Sequence, residues 1–168
     1  MYTITKEENQ MFKKIRWALL AFIIGGILII TYIVTLVRYA ESENRAFNNY
    51  TKSLLAMSDV NEVNSIHRFN GLKSYIVANI VHTNGEDVYF FIRDGIIQHF
   101  FFTENLIALD DANNVAQQMN PNARIVNTQL GMLDEKPIFE VKLEEKNITT
   151  YIVLDAKNGR VLMNFSLE

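Results

Sequence analysis

Cysteine is absent from this chain of 168 residues, and it holds only two prolines, seven glycines and three histidines. Without cysteine there is no thiol nucleophile, no thiolate metal site and no disulfide, so any folded part must be held by packing alone. The histidines His67, His82 and His99 fall in neither an H-x-x-x-H nor an H-x-H spacing, which removes the usual imidazole metal motifs. The serines lie outside any G-x-S-x-G elbow or S-x-x-K motif. No glycine-rich loop leads into a helix in the phosphate-binding or dinucleotide-binding pattern. An enzyme needs a nucleophile, a tuned acid–base pair or a metal, and little of any is offered. The reading is therefore a protein with no catalytic, metal-binding or cofactor-binding residues, no cofactor and no small-molecule substrate.

Charge is also missing where it matters most. From Trp17 to Val37 the chain reads WALLAFIIGGILIITYIVTLV, 21 residues with no charged side chain. A helix of that length spans about 31 Å, the thickness of a bilayer's hydrocarbon core. Thirteen of the residues are Leu, Ile, Val or Phe, each favouring insertion by roughly 0.3 to 0.6 kcal/mol near the bilayer centre. Thr31 and Thr35 can bond back to their own helix, and the Gly25-Gly26 pair is tolerated in lipid. A buried helix of a soluble domain would need the remaining chain to cover an apolar cylinder on all sides. A cleaved signal peptide has a shorter apolar region, about 7–15 residues, with small residues before the cut. Here a cut after Ala40 would leave Arg38 three residues upstream. A single membrane-spanning helix over 17–37 is expected, after a tail over 1–16.

Lys6, Lys13, Lys14 and Arg16 precede the span, and Arg38, Arg45 and Lys52 follow it at similar distance. The first cluster crowds the membrane edge, which orients the N-terminus to the cytoplasm and the remainder outside the cell. Trp17 and Tyr39 stand at the two ends as interfacial anchors. Four basic and two acidic residues precede position 38, leaving 12 basic and 17 acidic in residues 38–168, a net charge of −5. Nothing there tracks a phosphate backbone, so nucleic acid is not an expected partner. An external module this small without disulfides points to a bacterial surface.

In residues 38–57, Tyr39, Ala46, Phe47, Tyr50, Leu54 and Met57 fall on one helical stripe, read as a core face. Strand patterns follow at Val60–Phe69, Lys73–Val81, Asp87–Arg93 and Ile96–Thr103, with Thr83-Asn84-Gly85 and Asp94-Gly95 as turns. Leu106–Met119 reads as a helix with Asp110 and Asp111 near its first turn, ended by Asn120-Pro121. Ala123–Leu133, Pro137–Leu143, Ile148–Leu154 and Arg160–Phe165 are the next strands, separated by turns at 134–136, 144–147 and 157–159. KSYIVANIVHTNGEDVYFFIRDG and KPIFEVKLEEKNITTYIVLDAKNG run in the same order, with Lys73 answering Lys136 and Gly95 answering Gly159. This is a duplication of roughly 60 residues, each copy too small to bury much core alone. The expected fold class is α+β: a transmembrane helix, then two units over 38–104 and 105–168. Each is a helix on a curled antiparallel sheet, and the two pack together.

A few side chains invite a chemical reading beside a structural one. His82 can meet Glu86 or Asp87 across its turn as a surface pair. Asp110-Asp111 has the look of a cation site, but is read instead as the acidic start of a helix. Asn147-Ile148-Thr149 fits the glycosylation pattern, relevant only in a eukaryotic host. In Ile96-Ile97-Gln98-His99-Phe100-Phe101-Phe102 strict alternation buries only half, so the other face must meet the second unit, a helix or an external partner.

The run Tyr151, Val153, Asp155, Ala156, Gly159, Val161 and Leu162, spaced Y-x-V-x-D-A-x-x-G-x-V-L, resembles the PepSY pattern of a strand ending in a small turn. A membrane anchor, the segment VNEVNSIHRFNGLKSYIVANIVHTNGEDVYFFI and a PepSY-like unit together resemble the TseB (YpmB) family of Gram-positive bacteria, over roughly residues 10–168. That resemblance implies two cystatin-like units with no catalytic residues. It also implies regulation of cell-wall elongation through a class B penicillin-binding protein transpeptidase, with no partner-contacting residues carried over. PepSY and cystatin-like modules also include modulators of secreted or membrane peptidases, which stands as the alternative.

Overall fold

The computed structural model describes residues 6–167. Of the expected tail over 1–16, residues 1–5 and the side chains of Lys6, Lys13 and Lys14 lie outside the described ones. The chain divides into two units, Met1–Ala46 and Phe47–Glu168.

The first unit holds most of helix α1, Lys6–Leu55. The apolar run forms helix because its backbone groups are satisfied within the segment and nothing interrupts it. Thr31 Oγ1 donates to Ile27 O and Thr35 Oγ1 to Thr31 O, each at 2.8 Å, so both hydroxyls are satisfied by the preceding turn. From Phe22 onward α1 carries an 18-residue stretch of mean hydropathy 2.0, none of it buried against protein. A helix long and apolar enough to cross a membrane thus stands where the uncharged run lies, and it is not the core helix of a soluble domain. Tyr39 corrects the stripe read over 38–57: it is 70% exposed, and the packed face begins at Phe47.

The second unit contains two four-stranded antiparallel sheets. Strands β1 (Val60–Asn70), β2 (Ser74–His82), β3 (Asp87–Arg93) and β4 (Ile96–Phe102) pair in sequence order. So do β5 (Arg124–Leu133), β6 (Lys136–Glu145), β7 (Ile148–Asp155) and β8 (Val161–Leu167). Each sheet follows a helix, the last turns of α1 for the first and α2 (Leu109–Met119) for the second. The repeated order read in the sequence is the repeated order of the fold.

Period-2 alternation explains how β2 and β3 serve two cores. Ile76, Ala78 and Ile80 with Val88, Phe90 and Ile92 point to one face, where Leu54 and the partly buried Phe47, Tyr50 and Met57 cover them. Tyr75, Val77 and Phe91 point to the other face and join Leu130, Met132, Ile138 and Phe139 of the second sheet in one continuous core. Ala112 and Ala116 of α2 are fully buried in that same core with Val141, Leu143, Ile152 and Leu154. Their small side chains let the helix lie close to the sheet.

Turn chemistry sets the registers. Asp94-Gly95 has φ of 53° and 76°, the left-handed pair that a two-residue hairpin of matching twist needs. Asp134-Glu135 adopts the same geometry, with φ of 46° and 63°, between Leu133 and Lys136. Two expected boundaries move. Residues 144–147 are not all turn: β6 runs to Glu145, because Glu144 sits on the sheet surface opposite Arg124, its carboxylate 2.9 Å from the guanidinium. The helix expected from Leu106 starts at Leu109, after a 3-10 turn at Thr103–Asn105. Ile107 N–H instead donates to Ala156 O at 2.8 Å, and Leu106 and Ile107 pack into the shared core, which holds this stretch extended.

Candidate interaction surface

The seam between the two sheets is built by their edge strands. On β1, Phe69 is buried against Gly131 of β5, where a Cβ would overlap the Phe69 ring. Only glycine admits the ring there. Beside it, His67 Nε2 lies 2.9 Å from Leu130 O, so the neutral imidazole donates across the seam. Burial lowers the His67 pKa, and the bond to Leu130 O opposes that shift in part. His67 is thus a structural cross-tie.

The other histidines are also tied into the fold. His82 does not use Glu86 or Asp87 through its ring: its Nδ1 is 2.9 Å from Asp59 O and 3.6 Å from an Asp59 carboxylate oxygen. The residue just before β1 reaches it because His82 pairs with Val60, which no local spacing reveals. His99 meets the Tyr75 ring edge-on at 6.5 Å. Asp110 and Asp111 are exposed in the first turn of α2, where their charge complements the helix dipole. Among the described residues no group of three or more His, Asp or Glu is arranged to hold a metal ion.

The aromatic run of β4 meets structure on both faces. Phe101 packs into the shared core edge-on to Phe91 at 5.7 Å, with Lys157 Nζ 5.5 Å from its ring centre. Ile97 and Phe102 turn to the face covered by the end of α1. The second sheet and a helix together answer the demand of that run, and Phe100 stays largely exposed.

Recesses open on the surface, and two of them hold polar side chains beside apolar ones. One, of 200 Å³, is lined by Tyr89, Thr103, Glu104, Leu106, Ile107 and Phe139 at the seam. Burial there raises the Tyr89 pKa, with the Asp87 carboxylate adding to it, so the phenol stays protonated. The other, of 290 Å³, lies by the β6–β7 hairpin and includes Asn120, Thr150 and Ser166. Thr150 and Ser166 satisfy each other at 2.9 Å.

Strand β8 also leaves apolar side chains uncovered. Its pairs Tyr151–Phe165 and Val153–Met163 place Phe165 and Met163 side by side on one face, and the Phe165 ring stacks on Tyr151 at 5.2 Å. Met163, Phe165 and Leu167 are 40, 44 and 55% exposed. The PepSY-like motif had drawn attention to this segment for its turn, and only the strand order reveals that it is an edge.

Comparison with known proteins agrees with this architecture. Residues 106–162 match the PepSY family, described as peptidase propeptide and YPEB domain. No curated protein sequence matches the chain. Among solved structures, the YpmB protein from Bacillus subtilis aligns with a TM-score of 0.60 at 16% identity, over 71% of this chain and 96% of that one. The CD1622 protein from Clostridium difficile 630 aligns with a TM-score of 0.40 at 12% identity, over 77% and 92% respectively. This chain therefore carries a PepSY domain over residues 106–162 within a fold like that of the YpmB protein.

Proposed function

We propose that this chain is a membrane-anchored, non-catalytic regulator that binds a class B penicillin-binding transpeptidase on the outer face of the membrane and so modulates cell-wall elongation. The observation that carries the reading is the combination of a PepSY domain, a YpmB-like fold and a helix apolar enough to anchor both. In this reading the tail is 1–16, the span 17–37, and the two units 38–104 and 105–168. The basic cluster ending at Arg16 holds the N-terminus inside, leaving both units on the side where wall synthesis occurs. Confinement of two partners to one membrane raises their effective concentration to the millimolar range, so a modest interface suffices. Affinity capture of the full chain from detergent-solubilised membranes tests it: a penicillin-binding transpeptidase is retained, and its absence from the captured proteins contradicts the reading.

The description of the matched domain as that of peptidase propeptides favours one other reading, modulation of a secreted or membrane peptidase. Titrating the full chain in detergent against extracellular peptidases separates the two, because only this second reading expects a change in peptide hydrolysis.

A further inference from the structure

An asparagine followed by glycine is open to attack on its own side chain, because the glycine amide has no Cβ beside it to block approach to the asparagine Cγ. The chain holds three such pairs, Asn70-Gly71, Asn84-Gly85 and Asn158-Gly159, each in or beside a hairpin turn. All three asparagines are exposed, so water reaches each of them. The fold treats their attacking nitrogens differently. Gly85 N–H donates to His82 O at 2.9 Å and Gly159 N–H to Asp155 O at 2.8 Å, with φ of 88° and 73°, which holds each nitrogen to its turn. Their asparagines are pinned as well: Asn84 Oδ1 accepts from Glu86 N–H and Asn158 Oδ1 from Arg160 N–H, each at 3.0 Å. Asn84 Nδ2 also donates to Glu86 Oε2 at 2.7 Å. Among the described residues, no turn or loop backbone bond holds the Gly71 N–H. Asn70 pairs with Ser74 as the last pair before the hairpin tip, so turning its ψ to bring Cγ to that nitrogen disturbs the ladder least. Asn70 Oδ1 accepts from the Ser74 hydroxyl at 2.8 Å. That bond draws electron density from the amide carbon, and a hydroxyl, unlike a backbone N–H, rotates to follow the oxygen as charge builds on it.

We propose that Asn70 is a site of self-modification, converting through a cyclic imide to aspartate and isoaspartate while the fold protects Asn84 and Asn158. Gly71 N attacks Asn70 Cγ and gives its proton to water; the bond from Cγ to the side-chain nitrogen breaks, and ammonia leaves. Water then opens the five-membered ring. Breaking the bond from Gly71 N to Cγ restores the ordinary backbone as aspartate. Breaking the bond from Gly71 N to the main-chain carbonyl routes the chain through the side chain as isoaspartate. Water is the one co-reactant, and nothing is oxidised or reduced. Either product puts a new negative charge in the hairpin that carries Lys73. The second also lengthens the backbone by one atom next to Phe69, whose ring packs on Gly131 at the seam. The conversion is independent of which protein the chain binds.

Incubating the full chain in detergent and mildly alkaline oxygen-18 water, then digesting it for mass spectrometry, reads each asparagine by the label it takes up. In the folded chain, label is expected to enter position 70 several times faster than positions 84 and 158. In urea the three rates are expected to draw together, because the hydrogen bonds that hold Gly85 and Gly159 are gone. Ser74→Ala, a change at an exposed position, is expected to slow position 70 several-fold and to leave the other two unchanged. Equal rates at the three positions of the folded chain overturn the inference, as does faster uptake at 84 or 158 or no uptake at 70. So does a ranking that persists unchanged in urea, which would trace it to sequence and not to the fold, or a Ser74→Ala chain that converts at the wild-type rate.

Discussion

His67 shows how one side chain joins two repeated sheets and makes their union sensitive to acid. Its pKa in the folded chain lies below the ordinary value of 6.5, because burial disfavours the imidazolium. The unfolded chain therefore takes up the proton first. The His67 contribution is full above about pH 6.5 and falls as pH drops from there towards the folded-state pKa. Chemical denaturation at pH 7.5 and 5.5 is expected to show wild type losing more stability than His67→Gln over that interval. At neutral pH, His67→Ala leaves the Leu130 carbonyl unpaired and costs about 1–3 kcal/mol. Gly131 is the companion case. Gly131→Ala drives a methyl into the Phe69 ring and should cost about 1–3 kcal/mol. The double variant Gly131→Ala/Phe69→Leu should be less destabilised than the sum of the singles, because the smaller side chain makes room. Neither role was legible in the sequence: His67 and Leu130 are 63 residues apart, and a glycine in a strand does not name the ring that approaches it.

Among the elements, strands and hairpins were legible because their signals are local. β3 begins and ends where alternation and the Asp94-Gly95 turn place it. Errors came where tertiary contact overrode local pattern. Leu106 and Ile107 fit a helical stripe, yet the bond to Ala156 O and burial in the seam hold them extended. Glu144 reads as turn by its charge, but it is a surface position of a strand with Arg124 as cross-strand partner. The end of α1 shows a pattern half correct: Phe47, Tyr50 and Leu54 pack, and Tyr39 does not. Leu54 is the most buried member of that stripe, and Leu54→Ala should cost about 2–5 kcal/mol. If the last turns of α1 are an integral part of the first sheet's core, amide exchange should accelerate in β2 and β3 while β6 and β7 change less. Uniform acceleration across both sheets would show instead that the two cores open as one unit.

At the scale of the molecule, the two sheets share a core, so the second sheet is not a bead on a string but half of one folded body. The uncharged run and the duplication made the general plan legible, and the Tyr151–Leu162 motif pointed to the PepSY domain. The free surface at β8 was not, because an edge is defined by the strands that are missing beside it. This body presents a shape on which a partner can dock, with Phe100 exposed and a recess lined by Tyr89 and Phe139. The central claim is that this shape, held outside the cell by the anchor, engages a wall-synthesising transpeptidase. The most direct measurement applies a membrane-impermeant amine crosslinker to intact cells carrying the full chain, followed by mass-spectrometric identification of what it captures. The account predicts a class B penicillin-binding protein joined to a lysine in residues 38–168. Crosslinks that reach only the N-terminal lysines, or that never include a penicillin-binding protein, would contradict it.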